Sequence, residues 1–185
     1  MNILGISASP RRDGNTDQAL RRALATLGGS GRTRFIRISD YRIKHCTGCR
    51  RCTTRMRCVI RGDDFERLFA TWQRADVLLI ASPVYWLGPP GAMKDFVDRS
   101  HGSYACPRKI FAGKLAGIIG VAADSGWETQ EKMLVTWLNY YGARVVGKVR
   151  LRARQQGDLS ARPGELKKLD RFARRVQAAM GRGRG

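Results

Sequence analysis

Four closely spaced cysteines are the residues of this sequence best suited to binding a metal centre. Cys46, Cys49 and Cys52 recur at every third position, and Cys58 follows after five intervening residues. Four soft sulfur ligands in so short a segment can surround one metal centre with little help from the rest of the fold. Because this spacing is typical of loops that wrap an iron–sulfur cluster, it favours a cluster at these four residues.

Other uses of the four thiols stay open from spacing alone. Zinc ribbons use two C-x2-C pairs separated by roughly ten or more residues, so zinc fits this pattern less well. Neighbouring disulfides in so tight a loop would strain the geometry that they require. Redox-active or unused thiols are a third alternative. Cys106 stands apart from the group, and we expect it to be a small buried or idle residue.

A polar loop early in the chain has the composition of a phosphate site. Residues 2–7 form an apolar run that predicts a buried strand, and apolar residues at helical spacing from Ala19 to Leu27 predict a helix. The loop between them has the side chains and backbone N–H groups that bind anions at a helix amino end. It contains neither a G-x-x-x-x-G-K motif nor a G-x-G-x-x-G motif, which argues against nucleoside triphosphates and dinucleotides. We predict a single phosphate monoester, with helix capping by Asn15 or Thr16 as the alternative.

A second loop carries aromatic and proline side chains. The apolar run 77–81 predicts a central parallel strand, and it is followed by the segment from Ser82 to Gly91, which includes Tyr85 and Trp86. Open α/β sheets bind ligands at the carboxyl ends of their strands, so this segment is a candidate flat apolar wall. Ordinary loop packing of the two aromatic rings is the alternative.

The remaining pattern indicates how these loops are positioned. Further strands are expected at 33–38, 115–121 and 144–149, and further helices after Asp63-Asp64, from Pro90 or Gly91, around 133–138 and around 166–176. Strands and helices alternate five times without an interior boundary. We therefore predict one α/β domain over residues 1–180, a doubly wound five-stranded parallel sheet with a cysteine loop inserted at 45–58.

Composition indicates the expected cellular location and the kinds of binding partner. The sequence has no leading apolar segment and no membrane-length apolar run, so we expect a cytoplasmic protein, in which clustered cysteines favour metal or redox chemistry. The formal charge is +20, from 35 Lys and Arg against 15 Asp and Glu. The arginines are scattered, apart from a short Gly- and Arg-rich tail at 181–185 that we expect to be disordered, so nucleic-acid binding is the weaker interpretation. The charge also suits an acidic electron carrier.

Several segments together resemble the NADPH-dependent FMN reductase superfamily and, within it, the iron–sulfur flavoproteins. They are Gly5–Arg11 with Gly14–Thr16, the motif Cys46–Cys58 leading into Asp63-Asp64, and Ala81–Trp86 with Pro90–Phe96 and Asp98-Arg99. The similarity covers roughly residues 1–150 in the same order. The third loop departs from the family's pattern, because Ala122–Trp127 stands where members often have a glycine-rich, flavin-facing segment.

The resemblance implies a flavodoxin-like fold, with sheet order 2-1-3-4-5, and FMN as cofactor. It implies that the phosphate is held by Ser9, Arg11, Asn15 and Thr16, and that the isoalloxazine ring is lined by Pro83, Val84, Tyr85 and Trp86. Cys46, Cys49, Cys52 and Cys58 would carry a 4Fe–4S cluster. It further implies a homodimer or homotetramer, NAD(P)H or ferredoxin as electron donor, and a flavin-dependent oxidoreductase activity; a reductase without a cluster is the alternative. Neither His45 nor His101 is assigned a role, and no catalytic residue is predicted.

Overall fold

The computed structural model describes residues 1–106 and 109–182 of this chain. Five parallel strands form one sheet in the order β2-β1-β3-β4-β5. The strands are β1 (Asn2–Ser7), β2 (Arg32–Arg37), β3 (Val77–Pro83), β4 (Leu115–Ala122) and β5 (Arg144–Arg152). The helices are α1 (Asn15–Leu27), α2 (Cys52–Arg55), α3 (Phe65–Arg74), α4 (Gly91–Arg99), α5 (Trp127–Tyr140) and α6 (Pro163–Gly181), and a 3₁₀ segment (Ser100–Ala105) follows α4. This order is that of a flavodoxin-like sheet, so the predicted fold class is confirmed.

The sheet is covered on both faces because its strands alternate between two apolar cores. Along β3, Leu79 and Ala81 pack with α1 and α6, whereas Leu78 and Ile80 pack with α3, α4 and α5. A strand buried on both sides reads as a continuous apolar run, which is why β3 is recognisable in the sequence. Helix α1 lies very close to β1, since a Cβ placed on Gly5 would stand 2.6 Å from Cδ1 of Leu24. This close packing fixes the amino end of α1 beside the end of β1.

Most predicted elements are present, and the differences lie at their ends. Strand β5 continues to Arg152, three residues beyond the predicted end, because arginines on its exposed face alternate with the buried Val149 and Leu151. Helix α6 is longer than predicted at both ends and includes Gly181. The remaining expected tail residues, 183–185, lie outside the described residues. Within the described ranges, no helix is long and apolar enough to cross a lipid bilayer.

Candidate flavin and cysteine sites

The loop between β1 and α1 presents the amino end of a long helix. The N-cap residue is Gly14, with no side-chain capping bond, so the alternative of capping by Asn15 or Thr16 is wrong. The N–H groups of the first turn of a helix have no acceptor within that helix. The Thr16 hydroxyl also has no hydrogen-bond partner among the described residues, although Thr16 is 3% exposed. An anion at this point would meet unpaired donors.

A buried carboxylate shapes this loop from beneath. Asp17, in the first turn of α1, accepts hydrogen bonds from the Ser7 hydroxyl and from the backbone N–H of Asp13, the latter over 2.9 Å. The Arg37 guanidinium forms an ion pair with Asp17, and both side chains are almost wholly buried. The carboxylate therefore ties the end of β1, the loop and the end of β2 together. Sequence reasoning missed Asp17 and Arg37, although an acidic residue in a first helical turn is a capping-type signal.

The two predicted flavin loops share one cavity of about 190 Å³ at the carboxyl edge of the sheet. Seven of the eight predicted cofactor residues line it, since only Trp86 does not. The lining residues are Ser9, Arg11, Gly14, Asn15, Thr16, Pro83, Val84, Tyr85, Val121, Ala122, Ala123, Ala153, Arg154 and Gln156. Trp86 is 97% exposed and has a φ of 45°. The hydroxyl and guanidinium groups at one side and the apolar wall at the other suit a phosphate joined to a flat ring, so the cavity's chemistry fits FMN.

Asn15, which lines the cavity, also joins two parts of the chain. Its Nδ2 donates to the backbone oxygen of Gln155 over 2.6 Å, and its Oδ1 accepts from the backbone N–H of Leu159 over 3.2 Å. The side chain therefore holds the loop between β5 and α6 against the start of α1. That loop brings Arg154 and Gln156 to the cavity, and sequence reasoning missed both residues because nothing in the local pattern marks this loop as a binding segment.

Gln130 on α5 fixes the aromatic loop. Its side chain is fully buried, and its Nε2 lies within hydrogen-bond distance of the Ser82 hydroxyl and the backbone oxygens of Pro83 and Gly88, at 3.1, 2.7 and 3.2 Å. This contact was not predicted, because a Gln within a helix gives no local signal.

The bulky Trp127, which departs from the family's pattern, points away from solvent: it is 6% exposed and donates its indole N–H to the backbone oxygen of Gly120.

The cysteine loop is largely irregular and open to solvent. The one-turn helix α2 begins at Cys52, and Gly48, Arg50 and Met56 adopt left-handed backbone conformations. All four motif cysteines are free thiols, with Cys46 and Cys49 exposed and the others half-buried. Burial raises the pKa of Cys52, and the nearby Cys58, Cys49 and Cys46 raise it further. A backbone N–H at Arg51 and the Thr47 hydroxyl lower the pKa of Cys49.

The donor set of this loop has the chemistry that an iron–sulfur cluster requires. Four unpaired thiols on one flexible segment match it in number and type. Over residues 1–106 and 109–182, no group of three His, Cys, Asp or Glu side chains is placed to hold a metal ion. The assignment of Cys46, Cys49, Cys52 and Cys58 as ligands therefore stays a prediction. Cys106 is a half-buried free thiol, and its expected idle role stays a prediction.

The base of the loop rests on a buried ion pair. Arg99, the last residue of α4, has a fully buried side chain paired with Asp63 and donates a hydrogen bond to Sγ of Cys58. Burial by itself would lower the pKa of Arg99, but the bonds to Asp63 and Cys58 raise it, so the guanidinium stays charged. Those contacts also keep the pKa of Asp63 below its usual range against the effect of burial. Asp64 is the N-cap residue of α3, as predicted. Its carboxylate, however, accepts hydrogen bonds from the backbone N–H of Arg42 and from the guanidinium of Arg67, and not from the helix end.

One histidine, His45, begins this loop, and the other, His101, lies beside it. His45 is 89% exposed, and its Nδ1 lies 2.8 Å from Oδ1 of Asp95, which raises the pKa of His45. Nδ1 of His101 lies 3.7 Å from Sγ of Cys52. The His101 ring stacks on Tyr104, which stacks in turn on Tyr140. Neither histidine lines the flavin cavity.

The cysteine loop carries positive charge without acidic residues of its own. Residues 45–62 contain no Asp or Glu. Four of the loop's arginines are exposed and form no ion pair within the described part of the chain, namely Arg50, Arg51, Arg55 and Arg57. The loop is therefore a strongly basic surface.

Comparison with known proteins agrees with this arrangement. Residues 1–157 match the family of NADPH-dependent FMN reductases. The chain is 38% identical over 129 residues to an iron-sulfur flavoprotein of Archaeoglobus fulgidus, covering 68% of this chain and 56% of that protein. It is 32% identical over 153 residues to an iron-sulfur flavoprotein of Methanocaldococcus jannaschii, covering 80% and 76%. The chain thus spans little more than half the length of the first relative.

A solved structure shows the same fold. The NAD(P)H:quinone oxidoreductase from Methanothermobacter marburgensis superposes with a TM-score of 0.72 at 19% identity, covering 97% of this chain and 96% of that one. The fold, the cavity between the two predicted loops and the family match are mutually consistent. This chain belongs to the NADPH-dependent FMN reductase family, whose members are flavin-dependent oxidoreductases.

Proposed function

We propose that this protein is an iron–sulfur flavoprotein that passes electrons between a reduced donor, either ferredoxin or NAD(P)H, and a small acceptor. The observation that carries the proposal is the position of α4. This helix begins immediately after the loop of Tyr85 and Trp86, and its last residue, Arg99, contacts Cys58. One short rigid element therefore links the flavin cavity to the cysteine loop.

The residues for FMN are those around the shared cavity. Ser9, Arg11 and Thr16, with the first-turn N–H groups of α1, would hold the phosphate. Pro83, Val84 and Tyr85 would lie along the ring, with Gln130 holding their loop in place. Trp86, which is exposed in this structure, would reach the ring only by a change of its loop. When bound, FMN exchanges a hydride or single electrons, and a cluster exchanges single electrons.

The partners follow from the surface. We propose that an acidic electron carrier, such as a ferredoxin or flavodoxin, docks on the cysteine loop. Within residues 1–106 and 109–182, Arg50, Arg51, Arg55 and Arg57 form no ion pair, so an acidic protein would supply counter-charges. Oppositely charged surfaces raise association rates, and salt weakens that effect. From the family resemblance we propose a homodimer or homotetramer. We propose the cytoplasm as its location, as expected from the sequence.

A cluster-free NAD(P)H-dependent FMN or quinone reductase is the second candidate. It is favoured by one observation: none of the four motif cysteines is among the described residues that line the flavin cavity. The cavity is therefore complete without them.

Anaerobic purification decides between the two. We expect FMN together with about four iron and four sulfide per chain, and broad absorbance beneath the flavin bands. Full FMN occupancy with no iron would leave the second candidate. A colourless protein that shifts duplex DNA in a salt-sensitive manner would instead favour nucleic-acid binding.

A further inference from the structure

The cysteine loop needs an anchor because it has almost no regular structure. The described segment between β2 and α3 contains only a short 3₁₀ turn (Ile38–Asp40) and the single turn of α2. Ordering such a segment costs conformational entropy, so a ligand set on it keeps its geometry only if the ends of the loop are fixed. The structure provides one side chain that reaches both ends.

That side chain is Arg99, whose five N–H donors all have acceptors on the loop. Nε donates to Sγ of Cys58 over 3.1 Å. Nη1 donates to the backbone oxygen of Lys44 over 3.1 Å and to Asp63 Oδ2. Nη2 donates to the backbone oxygen of Ile60 over 3.1 Å and to Asp63 Oδ1 over 3.3 Å. The entry and exit of the loop thus meet on one guanidinium.

The surroundings make this guanidinium rigid. It lies 4.4 Å from the ring centroid of Phe65, and Asp63 itself accepts the backbone N–H of Lys44 over 2.9 Å. The segment after α4 presses on the same part of the loop: a Cβ on Gly102 would lie 2.7 Å from the carbonyl carbon of Arg57 and 2.8 Å from the nitrogen of Cys58. Arginine suits this position because its planar fork presents five donors in fixed directions, which the compact ammonium of lysine cannot do.

We propose that Arg99 is the positioning residue of the proposed cluster, holding Cys58 in place and tuning the cluster through its Nε–H. The proposal rests on the proposed function, since it needs the four cysteines to be ligands. Hydrogen bonds to the sulfurs are one of the factors that set the reduction potential of a cluster. In the described part of the chain no guanidinium donates a hydrogen bond to the other three motif sulfurs, so Cys58 is the sulfur that Arg99 reaches directly.

The test is Arg99→Lys, purified anaerobically beside the parent and a control, Arg67→Lys. Arg67 pairs with the neighbouring carboxylate Asp64 at the surface, 2.7 Å away, so the control makes the same substitution at an exposed pair. We expect Arg99→Lys to keep its FMN, to release iron to a chelator about tenfold faster or more, and to show a more negative cluster potential. The control should match the parent in all three.

A second readout does not depend on iron. Trypsin cleaves after arginine, and the loop offers Arg50, Arg51, Arg55 and Arg57. We expect faster cleavage at these sites in apo Arg99→Lys than in the apo parent or in apo Arg67→Lys. If the parent binds no iron, the proposed function fails, and this digestion alone decides whether Arg99 anchors the loop.

Parent-like iron release, potential and digestion in folded Arg99→Lys would overturn the proposal. If Arg99→Lys does not accumulate as folded protein, Asp63→Asn replaces it, because the amide keeps the shape of Asp63 but loses its charge. Faster iron release and faster digestion in that variant support the proposal, and parent-like values overturn it.

Discussion

Asn15 and Gln155, 140 positions apart in sequence, are joined by a hydrogen bond of 2.6 Å from the side-chain Nδ2 of Asn15 to the backbone oxygen of Gln155. This bond makes the β1–α1 loop and the β5–α6 loop one unit. Residues from both sides of this bond line the same cavity. Arg11 and Thr16 come from the loop and the first turn of α1, and Arg154 and Gln156 come from the β5–α6 loop. The phosphate end of the flavin site therefore depends on Asn15 to hold these two segments together.

Replacing Thr16 tests the direct phosphate contacts. In Thr16→Ala the lost hydroxyl has no hydrogen-bond partner among the described residues, so we expect only a small change in melting temperature from the lost methyl group. A hydrogen bond to a charged group contributes about 1.5–3 kcal/mol, so FMN should bind about 10- to 100-fold more weakly. Fluorescence titration of apo-protein with FMN measures this. Unchanged FMN affinity would remove Thr16 from the phosphate site.

Replacing Asn15 tests the indirect contact. Asn15→Ala removes two bonds to the β5–α6 loop, so we expect weaker FMN binding together with faster hydrogen exchange over residues 153–159. Thr16→Ala is the matched control, because it should weaken FMN binding without altering exchange in that loop. Equal exchange in the two variants would contradict the indirect role.

Gln130→Leu tests how the aromatic loop is fixed. The substitution leaves the Ser82 hydroxyl and the backbone oxygens of Pro83 and Gly88 without their shared donor. The two backbone oxygens keep other donors, the Ser82 hydroxyl for Pro83 and the Tyr85 N–H for Gly88. The cost is therefore that of the lost Gln130 bonds, about 0.5–1.5 kcal/mol each, and we expect lower stability to urea and an altered flavin absorption spectrum. Gln177→Leu is the control. Gln177 lies near the carboxyl end of α6, where its amide donates to the Ser30 hydroxyl, so its loss should leave the flavin spectrum unchanged.

Glu131 makes stability depend on pH. Its side chain is 3% exposed and is paired with Arg150 and Lys148. Burial raises the pKa of Glu131, but the two cations lower it by more, so the pKa lies below the usual value. A depressed carboxylate pKa adds stability that is fully present above about pH 4.3, the unfolded value, and is lost as pH falls through the folded pKa. Glu131→Gln should therefore cost about 1–2 kcal/mol at pH 7 and progressively less towards pH 3. Urea unfolding at both pH values measures the difference; equal losses would contradict it.

Features that depend on a local sequence pattern could be predicted, whereas contacts between residues far apart in the sequence could not. The run Val77–Ala81 predicts β3 because burial on both faces requires apolar residues at every position. Ser9, Arg11 and Thr16 are identifiable because their loop follows the first strand. Gln130, Arg154 and Gln156 lack such signals, because only the folded sheet brings them to the cavity. Arg99 lies within a recognisable segment, but its role appears only when Lys44, Cys58 and Asp63 surround it.

The arginines of the cysteine loop should control reduction by an acidic carrier. Arg51→Gln with Arg55→Gln removes two exposed charges without breaking an internal ion pair, so we expect slower reduction by ferredoxin at low salt and a parent-like rate at high salt. Stopped-flow kinetics over a salt series measure both. The control is Arg171→Gln with Arg175→Gln. It removes the same number of charges from a second basic surface, a groove formed by α6 and β5. A flat salt response in the parent would exclude steering by charge, and equal slowing in both double variants would place the docking surface elsewhere.

The cysteines themselves give the most direct prediction. If Cys46, Cys49, Cys52 and Cys58 each ligate one iron of a cluster, Cys49→Ser removes one of four bonds and should lose most of the iron. The flavin cavity is built from other loops, so FMN occupancy and the shape of the flavin bands should persist. Cys106→Ser is the control, because Cys106 lies outside the motif and should leave both cofactors unchanged. Anaerobic absorption spectra, iron analysis and the paramagnetic signal of the reduced protein distinguish the variants. Parent-like iron in Cys49→Ser would show that the ligand set is a different one, and four titratable thiols without metal in the parent would exclude the cluster altogether.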